Sequence, residues 1–259
     1  MISTKLQGGL GNQMFQIAVA YALAKRNNDS YGFNFNDCYT PQQGNTSDKY
    51  VNNIFKNIPS SHEYNFANHY MEPFFSYQEI IYKPNLYMVG CFQSEKYFLD
   101  CKNDFFDLFD LSDINVEDFK KSLDFENNEF TSVHVRRGDY LNGANLVIHS
   151  PCSKGYYLQA LPLFPNSKFI FFSDDMDWVK ENFSGDNIYY SPFSDELQDF
   201  KLMSQCHNNI IANSTFSWWA SYLNRNPNKT VVGPKKWFGP AGHQDTQDII
   251  PNTWVTIDN

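Results

Sequence analysis

A chain of 259 residues has room for one large domain or two small ones, and 42% apolar residues are enough to build a sizeable core. A net charge of −9 excludes a general nucleic-acid binder, which needs a basic face, but leaves room for a phosphorylated small ligand held by a local cationic pocket. No run of 18 apolar residues occurs and Met1 is followed by no apolar h-region, so neither a membrane span nor a signal peptide is expected.

The chain opens with a short strand reaching Gln7, a glycine turn and a helix over about 12–26. Residues 38–80 are polar and turn-rich. A strand is expected at 87–90 and helical structure around 100–123. The polar run at 126–129 precedes a new apolar segment, which sets domains of 1–127 and 128–259. The second half then alternates. Strands are expected at 130–136, 168–173, 187–190, 209–213 and 230–233, with helices at 156–164, 176–183, 196–206 and 216–223. That alternation is the pattern of an α/β fold, a parallel sheet with helices on both faces. The five cysteines, Cys38, Cys91, Cys101, Cys152 and Cys206, form no C-x-x-C pair. Reduced thiols in a cytoplasmic protein are expected.

Four segments carry chemistry. Gly8-Gly9-Leu10-Gly11-Asn12-Gln13 joins a strand to a helix start, where glycines allow close backbone approach and free N–H groups face out. A plain tight turn reads the same residues equally well. His134-Val135-Arg136-Arg137-Gly138-Asp139-Tyr140 holds two of the chain's four arginines, and His134 and Arg136 share one face of a strand at its C-terminal end. A diphosphate would answer that charge through bidentate hydrogen bonds, and an ion pair with Asp139 would answer it internally. Ser173-Asp174-Asp175-Met176-Asp177 fits contacts to a nucleoside, a D-x-D metal motif at Asp175 and Asp177, or plain helix capping. Asn213-Ser214-Thr215-Phe216 opens a helix directly after a strand, a place for an anion or for an N-cap. Trp218 and Trp219 read as core before they read as a sugar platform. All four segments lie at strand ends or helix starts, and one crevice lined by N–H groups and an arginine pair suits a nucleoside diphosphate.

Taken in order, GGLGNQMFQ at 8–16, GCFQSEKYF at 90–98, HVRRGDY at 134–140, FSDDMDWVKENF at 172–183, LMSQCHNNIIANSTFSWWASYLN at 202–224 and VVGPKKWF at 231–238 resemble the bacterial galactoside α-1,2-fucosyltransferases of glycosyltransferase family 11. The resemblance implies a GT-B-like α/β fold of two Rossmann-like halves, with the donor site in the cleft. It implies inverting transfer of L-fucose from GDP-fucose to the 2-hydroxyl of a terminal galactose, as in lactose, with no metal or other cofactor. On this resemblance Arg136 holds the diphosphate and Arg137 braces the site. His134 and Asp174 contact the nucleoside, and Ser214, Thr215 and Phe216 meet the β-phosphate. Gly11 and Asn12 lie near the fucose and diphosphate. The 93–96 segment, Gln93 to Lys96, belongs to the acceptor side. Asp139, His149 and Glu95 are the candidates for a general base, and a loose oxocarbenium-like transition state would need little help from one. Cys91 stands where an aromatic is usual, which bears on acceptor preference. Three rivals are a fucosyltransferase of other linkage, a metal-dependent transferase using Asp175 and Asp177, and a carbohydrate-binding protein without activity. The expected location is cytoplasmic, with a peripheral place at the inner membrane as the alternative.

Overall fold

Parallel strand pairing organises both halves of the chain. A computed structural model describes residues 1–37, 48–62 and 65–259, and the chain divides there into two units. Cys38 lies outside the described residues, as does part of the turn-rich 38–80 stretch.

The first unit comprises Met1–Asp113 and Asp245–Pro251. Strand β1 (Ile2–Thr4) is buried throughout and leads through the glycine turn into helix α1 (Leu10–Arg26). An alanine-rich run favours this helix, and its mainly apolar surface is buried nearly all round. Lys25 and Arg26 in its last turn complement the helix dipole. After the short helix α2 (Asp48–Val51), strands β2 (Asn68–Met71) and β3 (Leu86–Val89) complete a parallel sheet of order β1-β3-β2. Single bridges from Ile2 to Tyr31 and from Phe33 to Ser60 extend it on the other side of β1. Helix α3 (Phe105–Leu108) follows. The 245–251 segment is bound into this unit: Asp245 accepts the N–H groups of Phe75 and Ser76, and Asp248 accepts that of Tyr77 and pairs with Lys96.

The second unit comprises Ile114–Gln244 and Asn252–Asn259. Its elements are α4 (Glu117–Ser122), β4 (Phe130–Val135), α5 (Asn145–Ile148), α6 (Lys154–Ala160), β5 (Lys168–Ser173), α7 (Met176–Asn182), β6 (Ile188–Tyr190), α8 (Glu196–Gln205), β7 (Asn208–Ile210), α9 (Thr215–Tyr222), β8 (Val231–Pro234) and β9 (Val255–Ile257). Residues 114–127, assigned above to the first half, cluster with this unit. Lys201 Nζ donates to the Ile114 carbonyl, and Gln198 Nε2 donates to that of Asn115 at 2.8 Å. The sheet is parallel throughout, in the order β6-β5-β4-β7-β8-β9. Counted from β4, this is the 3-2-1-4-5-6 order of a doubly wound dinucleotide-binding sheet, and its winding reverses between β4 and β7.

The helix expected around 100–123 is broken. Asp110 Oδ1 accepts the Ser112 N–H at 2.7 Å, and Asn115 Oδ1 accepts that of Glu117 at 3.0 Å. These local side-chain bonds stop one helix and start the next. The helix expected at 156–164 begins two residues earlier because Ser153 caps it, accepting the Tyr156 N–H at 3.2 Å. Trp218 and Trp219 are fully buried against Tyr222 and belong to the core. The thiols of Cys91, Cys101, Cys152 and Cys206 are free. Among the described residues no helix is long and apolar enough to cross a membrane.

Candidate functional site

Open α/β sheets bind ligands at the carboxyl ends of their strands, where the winding reverses. In the second unit that place is defined by β4, β5 and the β7–α9 junction. Val135 of β4 pairs in register with Ser173 of β5, which sets the following residues, Arg136 and Asp174, side by side. Arg136 Nη1 lies 2.9 Å from Asp174 Oδ2, and its Nη2 donates to Asp139 Oδ1 at 2.6 Å. Burial pulls the Arg136 guanidinium down, but Asp174 and Asp139 outweigh it and hold its pKa above the ordinary value. The internal ion pair with Asp139 weighed from the sequence is thus present, with Asp174 as a second partner, and a fork with five donors still has capacity for an anion.

Arg137 is held differently. Its Nε donates to Asp175 Oδ2 at 2.9 Å, and its guanidinium carbon lies 4.0 Å from the centre of the Trp178 ring. Asp175 also caps α7 by accepting the Trp178 N–H at 3.3 Å. The Arg137 backbone N–H donates to Asp174 Oδ1 at 2.9 Å. Gly138 has room for no side chain, because a Cβ there would come within 2.6 Å of Asp174 Oδ2. The arginine pair therefore divides its labour: Arg137 fixes the frame, and Arg136 carries the charge at the strand end. Among the described residues no cluster of three or more His, Cys, Asp or Glu is arranged to hold a metal ion, and Asp175 is already committed to the cap and to Arg137.

His134 lies one turn of the strand back, 6% exposed, with its ring against Phe216 of α9. Burial pushes its pKa down to about 4, against the pull of Asp174, so the imidazole is neutral at neutral pH. Its Nδ1 is buried and has no hydrogen-bond partner among the described residues. A buried polar atom without a partner is costly, and a ligand that supplied one would recover that energy. Ser214 sits at the N-cap of α9 without a side-chain capping bond, and the helix dipole directs its positive end there. Together these groups make a donor-rich floor for an anion.

Asn213 shapes the other wall. It is 2% exposed, and its Nδ2 donates to the carbonyls of His149 at 2.5 Å, Trp237 at 2.9 Å and Ser150 at 3.3 Å. Tyr140 donates its hydroxyl to the Asn213 carbonyl at 3.0 Å and stacks on His149, with ring centres 4.7 Å apart. The Arg136 guanidinium carbon also lies over the Tyr140 ring, 5.4 Å from its centre. Burial lowers the His149 pKa, with Asp139 pulling it back up. Sequence reasoning reached His149 but missed Asn213, Tyr140 and Trp178 as site-builders. Asn213 and Tyr140 stand inside segments singled out above and Trp178 directly follows one, which was the available signal.

Asp199 of α8 was also missed. It accepts the Ser191 hydroxyl just beyond β6, and burial pushes its carboxyl up to about 7. The folded protein keeps this proton to a higher pH than the unfolded chain, whose aspartates lose it near 3.8. Stability from this group is complete below that value and is lost as pH rises towards 7. The melting temperature of Asp199→Asn should therefore gain on the wild type between pH 5 and pH 8. A difference independent of pH would contradict the assignment.

Of the other residues named from the sequence, Gly11, Asn12 and Glu95 belong to the first unit. Gly11 and Asn12 open α1, and the Asn12 side chain accepts from Gln93 Nε2 at 3.0 Å. Gly8 takes a φ of +78°, and a Cβ there would collide with Asn12 Nδ2. Glu95 starts a short 3₁₀ turn capped by Ser94.

The family model described as Glycosyl transferase family 11 matches residues 1–258. An alpha-1,2-colitosyltransferase of Escherichia coli is 31% identical over 100% of this chain and 99% of its own length. The O-antigen biosynthesis glycosyltransferase WbnK of Escherichia coli is 30% identical over 97% of this chain and 99% of its length. Galactoside alpha-(1,2)-fucosyltransferase 2 of Oryctolagus cuniculus is 28% identical over 86% of this chain and 67% of its length. Among solved structures, NodZ alpha-1,6-fucosyltransferase soaked with GDP-fucose aligns with a TM-score of 0.49 at 15% identity, covering 86% of this chain and 91% of that one.

Proposed function

Because the chain belongs to glycosyl transferase family 11, we propose that it transfers L-fucose from GDP-fucose, with inversion and without a metal ion, to the 2-hydroxyl of a terminal galactose. The observation that carries the reading is Arg136, a guanidinium at the winding reversal of a doubly wound sheet, on the strand end whose His134 packs against Phe216 of α9. Breaking the fucose–phosphate bond gathers negative charge on the departing GDP. Arg136 and the first turn of α9 meet that charge as it develops, the form of electrostatic help that accelerates a reaction most. The buried His134 Nδ1 and Asp174 take the nucleoside side, and Ser214, Thr215 and Phe216 take the β-phosphate.

Asp139 has a second part in this reading. It is bound to Arg136. A diphosphate competing for that guanidinium loosens the carboxylate and leaves it able to take the proton of the attacking hydroxyl. His149, neutral and stacked on Tyr140, is the alternative acceptor in the same unit. Asn12 keeps its catalytic place on resemblance.

The relative at 31% identity supports a second donor. Colitose is fucose without its 3-hydroxyl, so both sugars present the same diphosphate to the site. The test is transfer to lactose from each sugar nucleotide, with and without EDTA, with the product linkage read by NMR. A 2-linked fucosyl galactose formed equally in EDTA is the expected result. Loss of transfer in EDTA would contradict the metal-free reading, and transfer from GDP-colitose alone would contradict the donor.

A further inference from the structure

The first unit holds a buried polar atom that its own fold does not satisfy. The sheet of that unit also reverses its winding, between β1 and β3, because the bridged 31–33 segment lies on one side of β1 and β3 on the other. The loops leaving those two strands meet there. Side-chain amides tie these loops together: Gln13 Nε2 donates to the Gly8 carbonyl at 2.8 Å, Gln16 Nε2 to that of Gly90 at 3.2 Å, and Gln16 Oε1 accepts the Gln7 N–H at 2.9 Å. Gln93 joins the loop after β3 to the start of α1. It is 6% exposed, and its Nε2 donates to Asn12 Oδ1 at 3.0 Å, but its Oε1 is buried with no hydrogen-bond donor beside it among the described residues.

The backbone holds Gln93 in that position at some cost. The preceding residue, Phe92, has a φ of +52°, a left-handed conformation that phenylalanine rarely adopts. Two bonds fix it: Glu72 accepts the N–H of Cys91 at 2.6 Å and that of Phe92 at 3.1 Å. A strained residue held by its surroundings, next to a buried unsatisfied amide, is the pattern of a prepared contact. The chemistry open to that oxygen is specific. A neutral amide oxygen accepts from a hydroxyl or an N–H, and it repels a phosphate oxygen.

We infer that Gln93 Oε1 accepts a hydrogen bond from a sugar hydroxyl of a bound substrate, and that Gln93 thereby determines sugar specificity. The inference rests on the glycosyl-transfer reading above. Two sources offer such a hydroxyl, the acceptor galactoside and the transferred sugar, and the same experiment separates them. Gln93→Met keeps the side chain's length and removes the accepting oxygen. Gln93→Glu keeps an accepting oxygen.

The assay compares wild type and both variants with GDP-fucose and lactose, with lactose deoxygenated in turn at the non-reacting galactose hydroxyls, and with GDP-colitose. For wild type, removing the hydroxyl that Gln93 reads should lower kcat/KM about 10- to 100-fold. In Gln93→Met that discrimination should vanish, whereas Gln93→Glu should retain it and GDP affinity should be unchanged in both. Coupling to a deoxygenated lactose assigns the acceptor, and coupling to GDP-colitose assigns the transferred sugar. Equal discrimination by wild type and Gln93→Met at every position would overturn the proposal, leaving a bound water as the partner of Oε1. A wild type that transfers to no galactoside from either nucleotide would remove the underlying reading instead, and the proposal with it.

Discussion

Arg136→Ala should lower kcat/KM for transfer from GDP-fucose by about a thousandfold, the scale seen when a donor aimed at developing charge is removed. The loss should appear in kcat and in GDP affinity together, because the guanidinium meets the diphosphate before and during bond breaking. Arg136→Lys should recover only part, since an ammonium cannot present two parallel N–H groups to a phosphate. The substitution also leaves Asp139 and Asp174 facing one another without their shared cation. Both are partly exposed, so the fold should survive with a melting temperature only a few degrees lower. Near-normal transfer by Arg136→Ala would contradict the site.

Asn213→Ala should produce the largest loss of stability away from the charged residues. The side chain donates to three carbonyls and accepts the Cys152 thiol at 3.5 Å. Alanine leaves those buried acceptors without donors, at a cost of about 2–4 kcal/mol. For a chain of this size that is roughly 5–15 °C in melting temperature. Activity should fall as well, because the same bonds fix the 149–150 segment behind Tyr140. Chemical denaturation read by two probes would separate the effects. A variant as stable as wild type would show that the three carbonyls find other partners.

Much of the second unit could be read from the chain. Its strands are short apolar runs whose ends are marked by charged or capping residues, and 130–136 and 168–173 were placed within a residue of β4 and β5. The reason is physical: strands buried on both faces must be apolar along their length, and their carboxyl ends are where polarity returns. The same logic brought His134, Arg136, Asp174 and Ser214 forward as one group, and the register between β4 and β5 places the middle two in contact. Strands β2 and β9 were not anticipated. β2 alternates half-buried and exposed residues that include Asn68 and His69, and β9 is largely exposed. Such edge strands take their shape from pairing rather than from composition. The break at 110–115 depended on Asp110 and Asn115 turning their side chains back onto the main chain, a competition that apolar spacing does not reveal. Asn213 was legible as part of an N-S-T helix start, but its three carbonyl partners come from segments 24 to 64 residues away. Gln93 is a similar case. The family resemblance implied an acceptor side for its segment, whereas the unsatisfied oxygen is a property of the packed loop.

The most direct test of the account is hydrogen exchange with and without GDP. Protection should be concentrated in peptides covering 134–141, 172–178 and 211–217, at the ends of β4 and β5 and the start of α9. GDP binding that protected other segments and left these three unchanged would contradict it.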